Sequence, residues 1–235
     1  MTSKEIISEL EKMGSPSIKK TLLNHGAKEP FFGVKISDLK PLQKKIKKDY
    51  KLSMELYDSG ISDARYLAGL IADESKMTKA DIQHWADGAN WPMLTESTVP
   101  WVASESAFGY ELGKEWIDAT SENIASAGWC TLSCLVALKP DDELNIPEIL
   151  KLMKRVEKEI HKAPNRVRYT MNGFILSVGA YVKELTQTAI NTANRIGEVT
   201  VHMGDTACKV PDVVSYLSKM EQAGKIGKKK KTVKC

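Results

Sequence analysis

Apolar residues recur along this chain at helical spacing and scarcely at strand spacing. Thr2 and Glu5 stand at capping-box spacing before Ile6, Ile7 and Leu10, which predicts an opening helix. Ser15-Pro16 starts a second short helix that ends near Gly26. Ser37 is placed to cap a third, with Leu39, Leu42 and Ile46 on one face. Lys40, Lys44, Lys45, Lys47 and Lys48 fill the rest of that helix surface. Further helices are expected over roughly 53–59, 61–73, 79–87, 91–105, 107–119 and 121–138. Pro147 starts a long one, in which Ile149, Leu152, Met153, Val156 and Ile160 form a single stripe. Another runs from about Arg166 to Leu185, with Val167, Met171, Phe174, Val178 and Val182 aligned, and two more lie near 187–196 and 211–223. The one strand-like stretch is 198–210, where Val199, Val201 and the turn-prone Gly204-Asp205 predict a short β-hairpin.

About a dozen helices joined by short turns, with no βαβ alternation and no glycine-rich phosphate loop, make an all-α protein. Such helices either close into a bundle or stack as pairs. Pairs recurring at roughly 35–45 residues favour a HEAT-like or ARM-like α-solenoid of antiparallel helix pairs. Residues 1–223 read as one repeat domain. Residues 224–235 read as a basic C-terminal tail, expected to be mobile and to offer Lys228, Lys229, Lys230 and Lys231 as a flexible phosphate-contacting arm.

Composition agrees with a folded chain: of 235 residues, 42% are hydrophobic and 27% charged. No apolar run approaches the ~18 residues of a membrane span, and the polar start lacks a signal core, so the chain reads as cytoplasmic, with no membrane partner. Cys130, Cys134, Cys208 and Cys235 show no metal-type pairing, and Cys130 and Cys134 suit buried helix packing; neither metal nor cofactor is expected. Net charge is only +4, but its distribution is uneven. Residues 1–50 carry a balance of +5, residues 51–150 of −11, and residues 151–235 of +10. Two basic ends could meet a polyanion, or the lysines could simply solvate helix faces.

The unusual segment runs from Asn90 to Trp101, where Glu96 stands one turn after Pro92, flanked by Thr95, Ser97 and Thr98 and bracketed by Trp91 and Trp101. It reads either as a carboxylate site or as two core tryptophans beside a solvated glutamate.

Three segments of the chain resemble the DNA alkylation repair family of HEAT-like glycosylases, the AlkD-like proteins. They are Phe31-Phe32-Gly33-Val34-Lys35 with the helix through Lys48, Trp91 through Pro100, and Arg168 to Glu184. The second is similar to the family's Trp-Trp-Asp-x-Val-Asp-x-x-Val-Pro helix. The resemblance spans roughly residues 15–190. It implies a solenoid whose basic concave face grips duplex DNA. In active members an Asp and aromatic side chains stabilise the positive charge that develops as an alkylated base leaves its sugar. The family's acid falls on Glu96, one methylene longer than Asp. The aromatic one turn earlier falls on Pro92, with Trp91 retained beside it. The basic residue of the following helix falls near Leu132, after Trp129, and the later aromatic falls on Phe174.

With those four positions altered, the chain reads as a DNA-binding member that takes duplex, damaged or branched DNA, acts as a monomer, and has weak or absent base excision. Its DNA-binding candidates are Lys44, Lys45, Lys47, Lys48, Lys151, Lys154, Arg155, Lys158, Arg166 and Arg168, with the tail lysines. Two alternatives are an alkylpurine DNA N-glycosylase that releases N3- or N7-alkylated purines, with Glu96 beside the oxocarbenium and Trp91 and Phe174 around it, and a solenoid scaffold for a protein partner.

Overall fold

The computed structural model describes residues 1–234, so Cys235 lies outside the described residues. Among these residues the chain forms thirteen α-helices and no strand. They fall into two compact units.

The first unit comprises Met1–Phe108, joined by Met203–Ala207 and Lys234. It holds α1 (Ser3–Met13), α2 (Pro16–Asn24), α3 (Ile36–Ile46), α4 (Tyr50–Asp58), α5 (Ser62–Ile71), α6 (Lys79–Gly88) and α7 (Val99–Glu105). The Thr2–Glu5 capping box forms as its spacing requires. Ser37 does not cap α3: the helix begins one residue earlier, at Ile36, with Lys35 at the cap, and the Ser37 hydroxyl donates to Asp38 at 3.0 Å. α5 is the centre of the unit, packed by α1, α3, α4 and α7, and nearly every side chain it carries is buried. Tyr57 of α4 stacks on Trp85 of α6 with ring centroids 4.2 Å apart, and its hydroxyl donates to the Trp85 carbonyl. Burial pushes that phenol well above its ordinary pKa. Arg65 lies over the Tyr57 ring and donates to the carbonyls of Tyr57 and Gly88 at 3.0 and 2.8 Å, which ties α4, α5 and α6 together.

The Phe31–Val34 segment has a visible structural role in this unit. The buried Asp63 carboxylate, in the first turn of α5, accepts the main-chain N–H groups of Phe32 at 2.6 Å and Val34 at 2.8 Å. Those two bonds satisfy both oxygens of a carboxylate that is otherwise shut away from water.

The second unit comprises Gly109–His202 and Cys208–Val233. It holds α8 (Gly109–Trp116), α9 (Glu122–Leu138), α10 (Ile146–Glu159), α11 (Asn165–Tyr181), α12 (Thr186–Ile196) and α13 (Val213–Gln222). α9 lies between α8 and α11, and α12 packs on α10, α11 and α13. The stripe read from α10 is the buried one: Ile149, Leu152, Met153 and Val156 all enter the core.

The hairpin expected over 198–210 is absent, and the reason lies in where its backbone groups bond. The Asn165 side chain accepts from the His202 N–H at 2.7 Å and donates to the His202 carbonyl at 2.8 Å, within the second unit. The Asp205 N–H donates to the carbonyl of Asn24 at the end of α2, within the first unit. Gly204, at φ 72°, lies so close to that carbonyl that no Cβ would fit. Groups that a hairpin would pair with each other are bonded instead to helix ends and to a side chain.

The basic tail is likewise not an unattached arm. The Gly227 N–H donates to Ala180 in the last turn of α11, and the Lys230 N–H donates to Ala137 in the last turn of α9, each at 2.8 Å. The Lys229 ammonium donates to Val136 of the same turn, and Lys234 donates to Ala72, the C-cap of α5. Carbonyls at helix C-termini lack intrahelical donors and carry partial negative charge. The tail supplies both the donors and the cations.

Candidate functional site

Glu96 sits in a π-helical turn, Leu94–Thr98, that leads directly into α7. The continuous helix expected over 91–105 is therefore broken in register at the candidate acid. Pro100 accounts for it. Proline has no N–H to offer the carbonyl four residues back, and its ring crowds that carbonyl, which belongs to Glu96. The chain widens by one residue, and the Val99 N–H bonds Leu94 O, five residues earlier. The turn is seated on α5, where Gly69 lets Thr98 approach. Thr98 and Leu94 are fully buried, and Glu96 is half-buried.

The aromatic candidates are core residues. Trp91 is 3% exposed, and its indole N–H is buried without a hydrogen-bond partner. With Phe31, Tyr66, Asp63 and Met93 it lines a cleft of about 300 Å³. Trp101 meets the Tyr66 ring edge-on at 5.4 Å. In the second unit, Phe174 is 1% exposed and tilts against Trp129 at 5.3 Å, with Leu132 buried in the same core. Pro92 is half-buried and brings no ring face beside Glu96. Glu96 thus supplies a carboxylate, while Phe174 spends its face on Trp129 and Trp91 is buried at the wall of the cleft.

The cationic candidates divide by what already holds them. Lys48 donates to Glu74 at 2.5 Å, an attachment that raises the lysine's pKa, and buried Glu74 is also paired with Lys234. Arg155 is bonded to Asp118 at 2.6 Å, to Glu159 at 2.9 Å and to the Ile117 carbonyl at 3.2 Å. Lys229 is paired with Asp141 at 2.8 Å as well as with Val136, and Lys230 lies over the Tyr181 ring. Arg166 lies over the Tyr169 ring at 4.4 Å, and Lys151 stands 3.7 Å from Glu148. Lys44, Lys45 and Lys47, at the end of α3, are exposed, and among the described residues their ammonium groups form no ion pair or hydrogen bond. Lys154, Lys158, Lys228 and Lys231 are exposed in the same way, and Arg168 buries its Nε–H without a partner.

Two anchoring cations escaped sequence reasoning. Lys234 sits beyond the lysine run that drew attention, and Arg65 stands alone in an apolar stretch. Nothing in local spacing marks either of them. Cys130 and Cys134 are half-buried on α9 rather than fully buried, and Cys208 is exposed. Among the described residues no three His, Cys, Asp or Glu side chains group as a metal site requires, and no helix is long and apolar enough to cross a membrane.

Comparison with known proteins places this geometry among relatives. A family model described as "DNA alkylation repair enzyme" matches residues 6–207. An uncharacterised protein of Listeria innocua is 33% identical over 225 residues, which covers 93% of this chain and 97% of that one. An uncharacterised protein of Listeria monocytogenes is 32% identical over the same shares. A solved structure superposes with a TM-score of 0.92 at 33% identity, over 100% of both chains. It is described as "a new family of proteins related to the HEAT-like repeat DNA glycosylases with affinity for branched DNA structures".

Proposed function

The chain belongs to the DNA alkylation repair enzyme family and has the HEAT-like repeat helical fold of its solved relative, and on that premise we propose that it binds branched or damaged duplex DNA with little or no base excision. The observation that carries this reading is the near-complete superposition on a protein described by its affinity for branched DNA. The candidate site supports the second half. Base release needs an anion and π-faces beside the charge that develops on the sugar and base. Here Glu96 remains, but Trp91 and Phe174 are buried and Leu132 stands where the resemblance expects a cation.

Binding would rest on the cations that internal partners leave available: Lys44, Lys45 and Lys47 in the first unit, and Lys154, Lys158 and Arg168 in the second. Lys48 and Arg155 contribute less, because a phosphate must first displace a carboxylate from each. The tail lysines 229 and 230 act as helix-end caps, and exposed Lys228 and Lys231 remain for a phosphate. As a monomer, the protein would read the backbone and shape of its target rather than base edges.

The test is titration of three-way junction, four-way junction and linear duplex of matched sequence at several salt concentrations. Tighter junction binding that weakens steeply with salt supports the reading. Absence of binding to any of the three at low salt overturns it, and a protein-binding scaffold would take its place.

A further inference from the structure

Lys47 is the one non-glycine residue with positive φ among the described residues; the other seven such positions are all glycine. It caps α3 at φ 65°, ψ −126°, a region that L-residues with a Cβ rarely adopt. The chain solves the same geometric problem at the end of α12, where the cap is Gly197 at φ 71°, ψ −153°. Both caps make the same bond, an N–H donated back four residues, to Gln43 in one case and to Ala193 in the other. Glycine is the residue that such a cap favours.

The conformation at Lys47 is imposed from both sides. Its own N–H is fixed to Gln43 at 2.8 Å. Two residues on, the Asp49 N–H is fixed to Ile71 O at 2.9 Å, and the Asp49 carboxylate caps α4 through the Leu52 N–H at 3.0 Å. Between them Lys48 is held by Glu74. Bonds on either side thus hold this turn, and a lysine occupies a conformation that elsewhere among the described residues only glycine adopts. Yet among the described residues the Lys47 side chain has no partner: it is exposed and pairs with no carboxylate or carbonyl. Nor is a further cation needed at the C-terminus of α3, since Lys44 and Lys45 already complement its dipole.

We propose that Lys47 is a phosphate-contacting residue, kept at a strained backbone position because its ammonium reaches a phosphodiester of bound DNA. Lys44, one helical turn earlier, is its companion, and with Lys45 the two form the first unit's contact with the nucleic-acid backbone. This proposal rests on the DNA-binding reading above.

The experiment compares K47G, K47A and K219A with the full-length chain, each by thermal unfolding and by salt-dependent binding to a three-way junction. Lys219 is an exposed lysine on α13 of the second unit and serves as the control for bulk charge. The K47G substitution is expected to raise the unfolding midpoint by roughly a few degrees, because the strain is relieved. It should also weaken junction binding about fivefold near 0.1 M salt and lower the slope of log affinity against log salt by about one. K47A should weaken binding equally without the gain in stability, which separates charge from backbone. Wild-type affinity in K47G and K47A, or an equal loss in K219A, overturns the proposal while leaving the DNA-binding reading intact. If the wild-type chain binds no DNA at low salt, both fail together.

Discussion

Thr98 presses against Gly69 so closely that a Cβ added at Gly69 would lie 2.6 Å from the threonine methyl group. This contact seats the π turn carrying Glu96 on the central helix of the first unit. Both residues are buried, so neither the turn nor α5 can move aside without opening the core.

Gly69→Ala should therefore destabilise the protein by about 1–3 kcal/mol, as overpacking does in a close-packed core. Thr98→Ala removes the opposing methyl group, and the double variant G69A/T98A should be more stable than the sum of the single effects implies. A double-mutant cycle by chemical denaturation checks it. Additive effects would mean that the two helical segments do not meet where the structure places them.

The Glu74 carboxylate answers to pH in a defined direction. Burial alone would raise its pKa, but Lys234 and Lys48 outweigh burial and hold it below the ordinary carboxylate value. A group whose folded pKa is depressed contributes stability above its unfolded value of about 4.3, and that contribution is lost as pH falls through the folded value. Thermal melts from pH 7 downward should show the wild-type advantage over Glu74→Gln shrinking below about pH 4. At neutral pH the variant should melt lower, because the nearly buried Lys234 loses its counter-charge.

The tail lysines should separate into two kinds. Lys229 donates to a helix-end carbonyl and pairs with Asp141, so Lys229→Ala should cost about 1 kcal/mol. Lys228 and Lys231 are exposed, and replacing either with Ala should leave stability within about 0.5 kcal/mol. Equal effects at all three positions, measured by denaturant unfolding, would contradict the capping role of the tail.

Excision should not depend on Glu96. Any release of 7-methylguanine or 3-methyladenine by wild-type protein should be matched by Glu96→Gln, and chromatography of methylated DNA after incubation is the check. Release that vanishes in the variant would restore the glycosylase reading, with the π turn as its acid-bearing element.

What the sequence disclosed follows from the range of the interactions involved. The stripe of α10 and the capping box of α1 are encoded within a few residues, and both form as spacing dictates. Pro100 is equally compatible with the first turn of a helix and with a widened turn, so local pattern could not separate the two. Val199 and Val201 carry strand propensity, but the partners that decide the segment are Asn24 and Asn165, far away in the chain. Sorting the cations depends on similar distances. Lys48 meets Glu74 across 26 positions and Arg155 meets Asp118 across 37, so charge counts saw basic residues where the fold has ion pairs. Phe174 lies on a helical stripe of apolar residues, and its burial against Trp129 is the ordinary fate of such a position.

The most direct test is a single reaction in which the protein meets a methylated three-way junction and an equal concentration of methylated linear duplex, with bound DNA and released base measured from the same tube. Preferential capture of the junction is expected, with release no greater than that of a protein-free control. Preferential capture of the duplex, or base release above that control, would contradict it.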